Sequence, residues 1–393
     1  MDFSPDIFVT RFTHWDWAIV ALYLVAIGYV GIRVNRYIHS VSDYVVGGRA
    51  SGWALNTASY IGTELGLVTV MFAAMDGFSR GFAFLVMPLI GMFAAFLIGR
   101  TGLVISHLRK MELLTLPEFF EQRFGKGVRV TAGVIMALSG ILNMGLFPKM
   151  GAVFMTYATG LAASPNAATI VNIMMTLLIV LVLVYTVMGG MVAVIITDYL
   201  QFVILGLGLL TALGMTLAAD GSGWQEMTGA MAAAKGDAAF NPVHPDSYGW
   251  AFLLWMTVGG IAGGLAWGPT VTRALTADSP RTARLTYMIA SPGMFVRMAI
   301  PALIAIGAFA YFSSDPQWTG YFFPDGLDAP PAHPAQALPL FLGQLLPVGL
   351  IGIVVAGLLA AFMSTHDSYL LCWASVISRD VISPLKRRPV TGR

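Results

Sequence analysis

Five consecutive polar residues, Ser364-Thr365-His366-Asp367-Ser368, interrupt an otherwise apolar stretch near the end of this chain. Ser364 and Thr365 each offer a hydroxyl oxygen, the donor type that hard cations prefer. The ordinary alternative is that such hydroxyls bond back to their own helix or across to a neighbour. Asp367 and His366 could tune an ion site, relay protons or face an aqueous vestibule. A second candidate is Glu64, next to Thr63 within Ala58-Ser59-Tyr60-Ile61-Gly62-Thr63-Glu64-Leu65-Gly66. A carboxylate there either sits beside a cation or polar solute, or is a buried acid bonded to neighbouring helix ends. Asp198 and Gln201 lie about one helical turn apart and either line an ion path or cross-link helices near an interface. Lys149 and Arg297 also fall within apolar stretches, where snorkelling or pairing accounts for them.

The elements that must position these groups are membrane helices. Hydrophobic residues make up 57% of the 393 residues, charged residues 11%, and the mean hydropathy is +0.76. A soluble globular domain does not need that much apolar surface. The single cysteine, Cys372, excludes an internal disulfide framework and a multi-cysteine metal site. The start, with Asp2, Asp6 and Asp16 against Arg11, lacks the basic n-region of a cleavable signal, so the first apolar segment is expected to be a retained helix. Spans of about 20 apolar residues cross a bilayer. About nine are expected, at 15–34, 52–75, 81–101, 128–160, 167–188, 191–218, 248–275, 284–312 and 345–378. A short amphipathic helix is expected around Leu116–Gly125, and long loops at 219–247 and 313–337. Trp15, Trp17, Trp53, Tyr248, Trp250 and Trp318 fall near span ends, where interfacial aromatics belong.

Two spans are broken by small residues, the second at Ala58–Gly66 and the seventh at Gly259-Gly260-Ile261-Ala262-Gly263-Gly264-Leu265-Ala266-Trp267-Gly268-Pro269. Uncoiled backbone at membrane depth is tolerated only against protein or a water-filled cavity, and a pair of such breaks points to the midplane site of a secondary transporter. Basic residues cluster on one set of connections: Arg33, Arg36 and Arg49; Arg100, Arg109, Lys110, Arg123, Lys126 and Arg129; Arg273, Arg281 and Arg284; Arg379, Lys386, Arg387, Arg388 and Arg393. The other side has Arg11, Arg80 and Lys235. The positive-inside rule then puts the N-terminus outside and the C-terminus in the cytoplasm of a multi-pass protein of the cytoplasmic (inner) membrane. There is no Walker loop, no nucleophile–base pair and no cofactor motif, so neither a pump driven by ATP nor an enzyme is expected.

Several strings resemble the sodium/solute symporter family. Gly189-Gly190-Met191-Val192-Ala193-Val194-Ile195-Ile196-Thr197-Asp198-Tyr199-Leu200-Gln201 is similar to that family's signature. Gly47-Gly48-Arg49, Leu116-Pro117-Glu118 with Arg123-Phe124-Gly125, Trp267-Gly268 followed by Arg273, and Ala361-x-x-Ser364-Thr365 with Asp380 complete the set in order. The resemblance implies an all-α, leucine-transporter-like bundle: an extra N-terminal helix at 15–34, a first repeat over 52–218 and an inverted, partial second repeat over 248–380, as a single transmembrane domain. It further implies a sodium site formed by carbonyls of Gly62, Leu65 and Ala361 with the hydroxyls of Ser364 and Thr365. Glu64, Asp198 and Asp367 would tune that site or line the sodium path, and Thr63, Gly263 and Trp267 would line the solute cavity.

Two departures from the family pattern matter. The sugar-transporting branch carries a tyrosine where this chain has Ala266 and an asparagine where it has Gly263, which argues against a sugar and for a smaller solute such as an amino acid or carboxylate. The family's repeat core has ten helices, and this sequence stops after the third helix of its second repeat. Either the gene product is truncated or a completing chain supplies the rest; a homo-oligomer is the alternative partner. The expected function is therefore sodium-coupled symport of a small polar solute by alternating access, with no organic cofactor and no nucleic-acid partner. The alternatives are a membrane solute sensor or regulatory subunit, or an inactive truncated symporter.

Overall fold

Hydropathy without a polar face along most of its length leaves this chain one way to satisfy its backbone in lipid, which is helix. The computed structural model describes residues 5–34 and 39–386, and among these there is no strand, only an isolated bridge between Ser51 and Ala277. The helices that matter for the site are α1 (His14–Val34), α2 (Trp53–Glu64), α3 (Leu67–Arg80), α4 (Val86–Thr101), α5 (Leu116–Phe124), α6 (Lys126–Met144), α7 (Phe147–Ala158), α8 (Ala167–Ala218), α9 (Gly249–Ala266), α10 (Gly268–Thr276), α11 (Pro280–Ser313) and α12 (Leu350–Val376).

Seven helical stretches among the described residues are long and apolar enough to cross a membrane, with His14–Val30 a shorter apolar one. The expected nine are not reproduced one for one. The broken second span contributes two short halves, and its second half runs on into the third span as the stretch Leu67–Thr101. Contacts with α11 resolve that stretch: Ile61, Glu64 and Gly77 meet Gly293, Arg297 and Ala302 in rising order, while Gly99 and Gly102 meet Met288 and Arg284 in falling order, so α2–α3 and α4 run in opposite directions along the same neighbour. The 52-residue α8 likewise folds back at Gly190. Leu178 in its first arm packs with Phe362 around Gly151, while Leu205 in its second arm packs on Gly357. Gly190 has φ 51° and ψ −171°, a conformation open to glycine and strained for any residue with a Cβ.

Buried polar groups fix the ends of the bundle. Asp16 is fully buried and its Oδ1 accepts the amides of Gly349 and Gly352 at 2.7 and 3.0 Å, an acid placed on the N-terminus of α12. At the opposite end Arg129 of α6 pairs with Glu118, Glu121 and Asp380, and Thr115 donates to Asp380 at 2.9 Å. The expected amphipathic helix is α5, with Pro117 in its first turn, and these charges lock it against the end of α12. Outside the membrane segments, the Ser40 hydroxyl holds the Asp43 carboxyl below its usual range.

Large apolar side chains stay exposed along α9, including Trp250 (68%), Leu254 (63%), Trp255 (66%) and Val258 (69%), as a lipid-facing helix requires. Three expectations are corrected. Trp318 does not sit in an interfacial belt but is buried among Phe312, Tyr321 and Phe322. The two long loops contain helices, Trp224–Lys235 in one and Pro316–Phe322 with the start of Pro334–Leu345 in the other. Of the basic residues used for orientation, Arg36, Arg387, Arg388 and Arg393 lie outside the described residues, and Arg273 is not on a surface connection at all. A Gly190→Ala substitution should lower unfolding stability by about 1–3 kcal/mol. Thermal unfolding in detergent checks this, and an unchanged transition would mean the turn tolerates a side chain.

Candidate functional site

Helix α2 ends in the interior. Leu65 (φ −87°, ψ 53°) and Gly66 (ψ 155°) leave the helix before α3 resumes at Leu67. The last carbonyls of a helix have no partners of their own, and here the neighbours supply them. Ser364 Oγ donates to the Gly62 carbonyl at 2.9 Å and Thr365 Oγ1 to the Thr63 carbonyl at 3.1 Å. The Glu64 carbonyl accepts from Arg297 Nη1 at 2.5 Å and from Thr69 Oγ1 at 3.2 Å. Gly66 makes this approach possible, because a Cβ on it would lie 2.3 Å from Thr365 Oγ1. Gly62, Leu65, Ala361, Ser364 and Thr365 are all buried along this one seam between α2 and α12.

The second break is a single residue. Trp267 (φ −73°, ψ 116°) separates α9 from α10, and Pro269 in the next turn cannot donate back to continue the helix. The expected break included the glycines from 259 to 264. These are helical, and the interruption falls at the far edge of the run. Trp267 Nε1 donates to the Tyr369 hydroxyl at 3.1 Å, and its ring stands edge-on to Tyr369 and Trp373 of α12.

A cavity of about 210 Å³ opens where the two breaks meet, lined by Tyr60 and Glu64 of α2, Gly263 of α9, Trp267, Thr270 of α10 and Arg297 of α11, among others. Gly263 and Trp267 therefore stand where a solute cavity was expected. Thr63 does not: its side chain is 1% exposed and points away from this cavity, toward Asp198. Glu64 Oε1 accepts the Thr270 hydroxyl at 2.5 Å, and Oε2 is 3.6 Å from Arg297 Nη1. Arg297 is thus a paired cation. A larger cavity of about 410 Å³, between Arg11, Asp220 and Gln344, is remote from both breaks.

Behind the seam lies a fully buried ion pair that charge counting missed. Arg273 Nη2 donates to Asp198 Oδ2 at 3.0 Å, and neither side chain is exposed. Ser59 Oγ donates to the same carboxylate oxygen at 2.6 Å, and Arg273 also donates to Thr63 and Ser368. The available signal was position, since Arg273 falls within the seventh apolar span, 248–275, where a free cation would be costly. Asp367 accepts from Thr186, and its second oxygen is buried without a partner. Gln201 donates to the Tyr23 hydroxyl at 3.0 Å, which cross-links α8 to α1. His366 Nδ1 lies 2.7 Å from the Phe362 carbonyl, one turn back on its own helix. Among the described residues no group of three or more His, Cys, Asp or Glu side chains could hold a metal.

Two mid-bundle helix breaks meeting at a largely apolar cavity that holds one acid and one base point to a secondary transporter. The sodium:solute symporter family model matches residues 44–391, and the chain belongs to that family. It is 26% identical over 393 aligned residues to the sodium/glucose cotransporter of Vibrio parahaemolyticus, covering 93% of this chain and 68% of the relative. It is also 26% identical over 386 residues to the sodium/sialic acid symporter SiaT of Proteus mirabilis, covering 95% of this chain and 72% of that protein. Its fold is similar to the solved substrate-bound, outward-open state of a Na+-coupled sialic acid symporter, with a TM-score of 0.79, 21% identity, and 96% of this chain and 76% of that chain covered. The protein is therefore a multi-pass, sodium-coupled symporter, and transport is favoured over the sensor alternative.

Leaving Arg273 without its partner strands a charge in the core, which costs about 3–5 kcal/mol. Asp198→Asn should lose stability on that scale in detergent, and Asp198→Leu combined with Arg273→Met should recover most of it. Equal stability of the single variant and the parent would show that the pair does not hold the core.

Proposed function

We propose that the protein imports a small polar organic solute together with sodium, the ion being held by carbonyls of Gly62, Leu65 and Ala361 and by the hydroxyls of Ser364 and Thr365. The observation that carries this reading is the seam itself. Two hydroxyls and the freed carbonyls of a broken helix converge there, and each hydroxyl can rotate its hydrogen away and offer lone pairs to a cation. Inward movement of sodium would supply about 2.3 kcal/mol per charge per 100 mV, before any concentration gradient.

In this reading Asp198 and Asp367 tune the ion path, Glu64 stands between ion and solute, and the solute lies against Trp267 and Gly263. The broken helices α2–α3 and α9–α10 are the equivalent first members of two inverted repeats, 52–218 and 248–380, preceded by the extra helix at 15–34. Arg49, Arg100, Arg109, Lys126 and Arg284 at one end, against Arg11, Arg80 and Lys235 at the other, support an outside N-terminus and a cytoplasmic C-terminus in the inner membrane.

Three measurements follow. Ser364→Ala and Thr365→Ala should each raise the sodium concentration for half-maximal binding or uptake about ten- to a hundredfold, the loss of one partner to a charge being about 1.5–3 kcal/mol. Replacing sodium with potassium should abolish uptake into proteoliposomes, and uptake indifferent to that exchange would remove the coupling. A cysteine placed at Lys235 should react with a membrane-impermeant maleimide on whole cells and one at Lys126 only after lysis, with buried Cys372 giving little background. The reverse pattern would invert the orientation.

A further inference from the structure

We propose that the solute is a small zwitterion, a molecule with a cationic nitrogen and a carboxylate a few bonds apart, held between Glu64 and Arg297 in the cavity where the two helix breaks meet. This rests on the transport reading above and names the chemistry of its cargo.

The cavity contains one acid and one base, each with hydrogen-bonding capacity left over. Their closest atoms, Glu64 Oε2 and Arg297 Nη1, are 3.6 Å apart, beyond hydrogen-bond length, although both side chains are only about one-sixth exposed, at 16% and 15%. Glu64 Oε1 is taken by Thr270, and Oε2 has only the long ion contact. Arg297 Nη1 is spent on the Glu64 carbonyl, while its Nε is buried with no hydrogen-bond partner. A native structure rarely leaves a buried guanidinium donor unmatched unless something else completes it.

The field of this pair selects by charge pattern. A lone carboxylate would match Arg297 but repel Glu64, and a lone amine would do the reverse. A neutral polyol could hydrogen-bond both groups but would bring neither an opposite charge. A zwitterion laid antiparallel to the pair gives each charge a close partner, and charge-assisted hydrogen bonds are the strong ones. It also adds no net charge to a site at membrane depth, where unpaired charge is expensive.

Size and shape agree. About 210 Å³ is below the roughly 300–1,000 Å³ of pockets for drug-sized ligands, which fits a solute of amino-acid dimensions. Trp267 and Tyr60 supply flat apolar walls for a short side chain, and Gly263 and Gly264 leave one side of the cavity without side chains.

The test uses the full chain purified into nanodiscs, with bound sodium-22 as the readout and three pools as probes. One pool holds neutral L-amino acids and glycine betaine, one neutral sugars and polyols, and one monocarboxylates. The zwitterion pool should lower the sodium concentration for half-saturation at least fivefold, and the other two should not. For the most effective amino acid, the methyl ester and the N-acetyl derivative should each bind at least tenfold more weakly. Arg297→Gln should erase the preference for the zwitterion over its ester, with sodium-22 binding to Arg297→Lys as the check that the fold survives. Response to sugars or monocarboxylates alone overturns the proposal, as does sodium binding that no pool enhances. Absence of sodium binding overturns the symport reading itself and this inference with it.

Discussion

A helix that stops in the middle of the bundle sets the terms for everything around it. Helix α2 ends at Glu64 and leaves the carbonyls of Gly62, Thr63 and Glu64 without amides of their own, at a depth where each bare group costs several kcal/mol. Ser364 and Thr365 of α12, Arg297 of α11 and Thr69 of α3 answer them. Three helices are thereby tied to one helix end by polar contacts, in a bundle where lipid gives little hydrophobic reason for helices to associate. Composition left two roles open for Ser364 and Thr365. They do bond across to a neighbour, and that neighbour is broken backbone whose oxygens suit a cation.

The buried pair of Arg273 and Asp198 stands directly behind this seam, and Thr63 belongs to both. Its carbonyl accepts from Thr365 and its hydroxyl from Arg273. A pair so deeply buried gains little over well-packed apolar residues, because desolvation offsets most of the attraction. What it does supply is register. Thr63 on α2, Ser368 on α12 and Asp198 on α8 can all reach Arg273 only when α10 lies at one height, and Ser59, one turn before Thr63, donates to Asp198. Asn56 reinforces this by donating to the Arg273 carbonyl at 2.8 Å.

Sequence made the membrane class and the two breaks legible, because each is local: hydropathy, and small residues within an apolar span. The pairing of Ser364 and Thr365 with carbonyls near Gly62 joins distant segments and came from the family resemblance. Sequence misjudged what depends on three-dimensional neighbours. Arg273 looked like a connecting-loop charge because basic residues at span ends are usually exposed, and only the crossing of α2, α8, α10 and α12 makes it internal. Thr63 is expected at the solute cavity with Gly263 and Trp267, yet it points toward Asp198 while neighbouring Glu64 faces the cavity, adjacent helix residues pointing about 100° apart. Hydropathy also counts spans by apolar length. It could not foresee that Trp53–Glu64 and Leu67–Arg80 are each too short to qualify alone.

Glu64 is where ion and solute would meet, and chain connectivity makes the coupling physical. Leu65, whose carbonyl belongs to the proposed ion site, follows Glu64, whose carboxylate reaches Thr270 on the other broken helix. A cation that fixes the carbonyls of Gly62 and Leu65 also fixes the turn between them, and with it the direction in which Glu64 projects. Order imposed at one place need not be imposed again at the other, so each ligand lowers the conformational cost of binding its partner. Linkage then requires the effect to be mutual: whatever factor sodium adds to solute affinity, the solute must return to sodium. A symporter needs that reciprocity, because a carrier that bound either ligand equally well alone would have no thermodynamic reason to move them together. In the proposed reading, the break after Glu64 would supply it with a single turn of backbone.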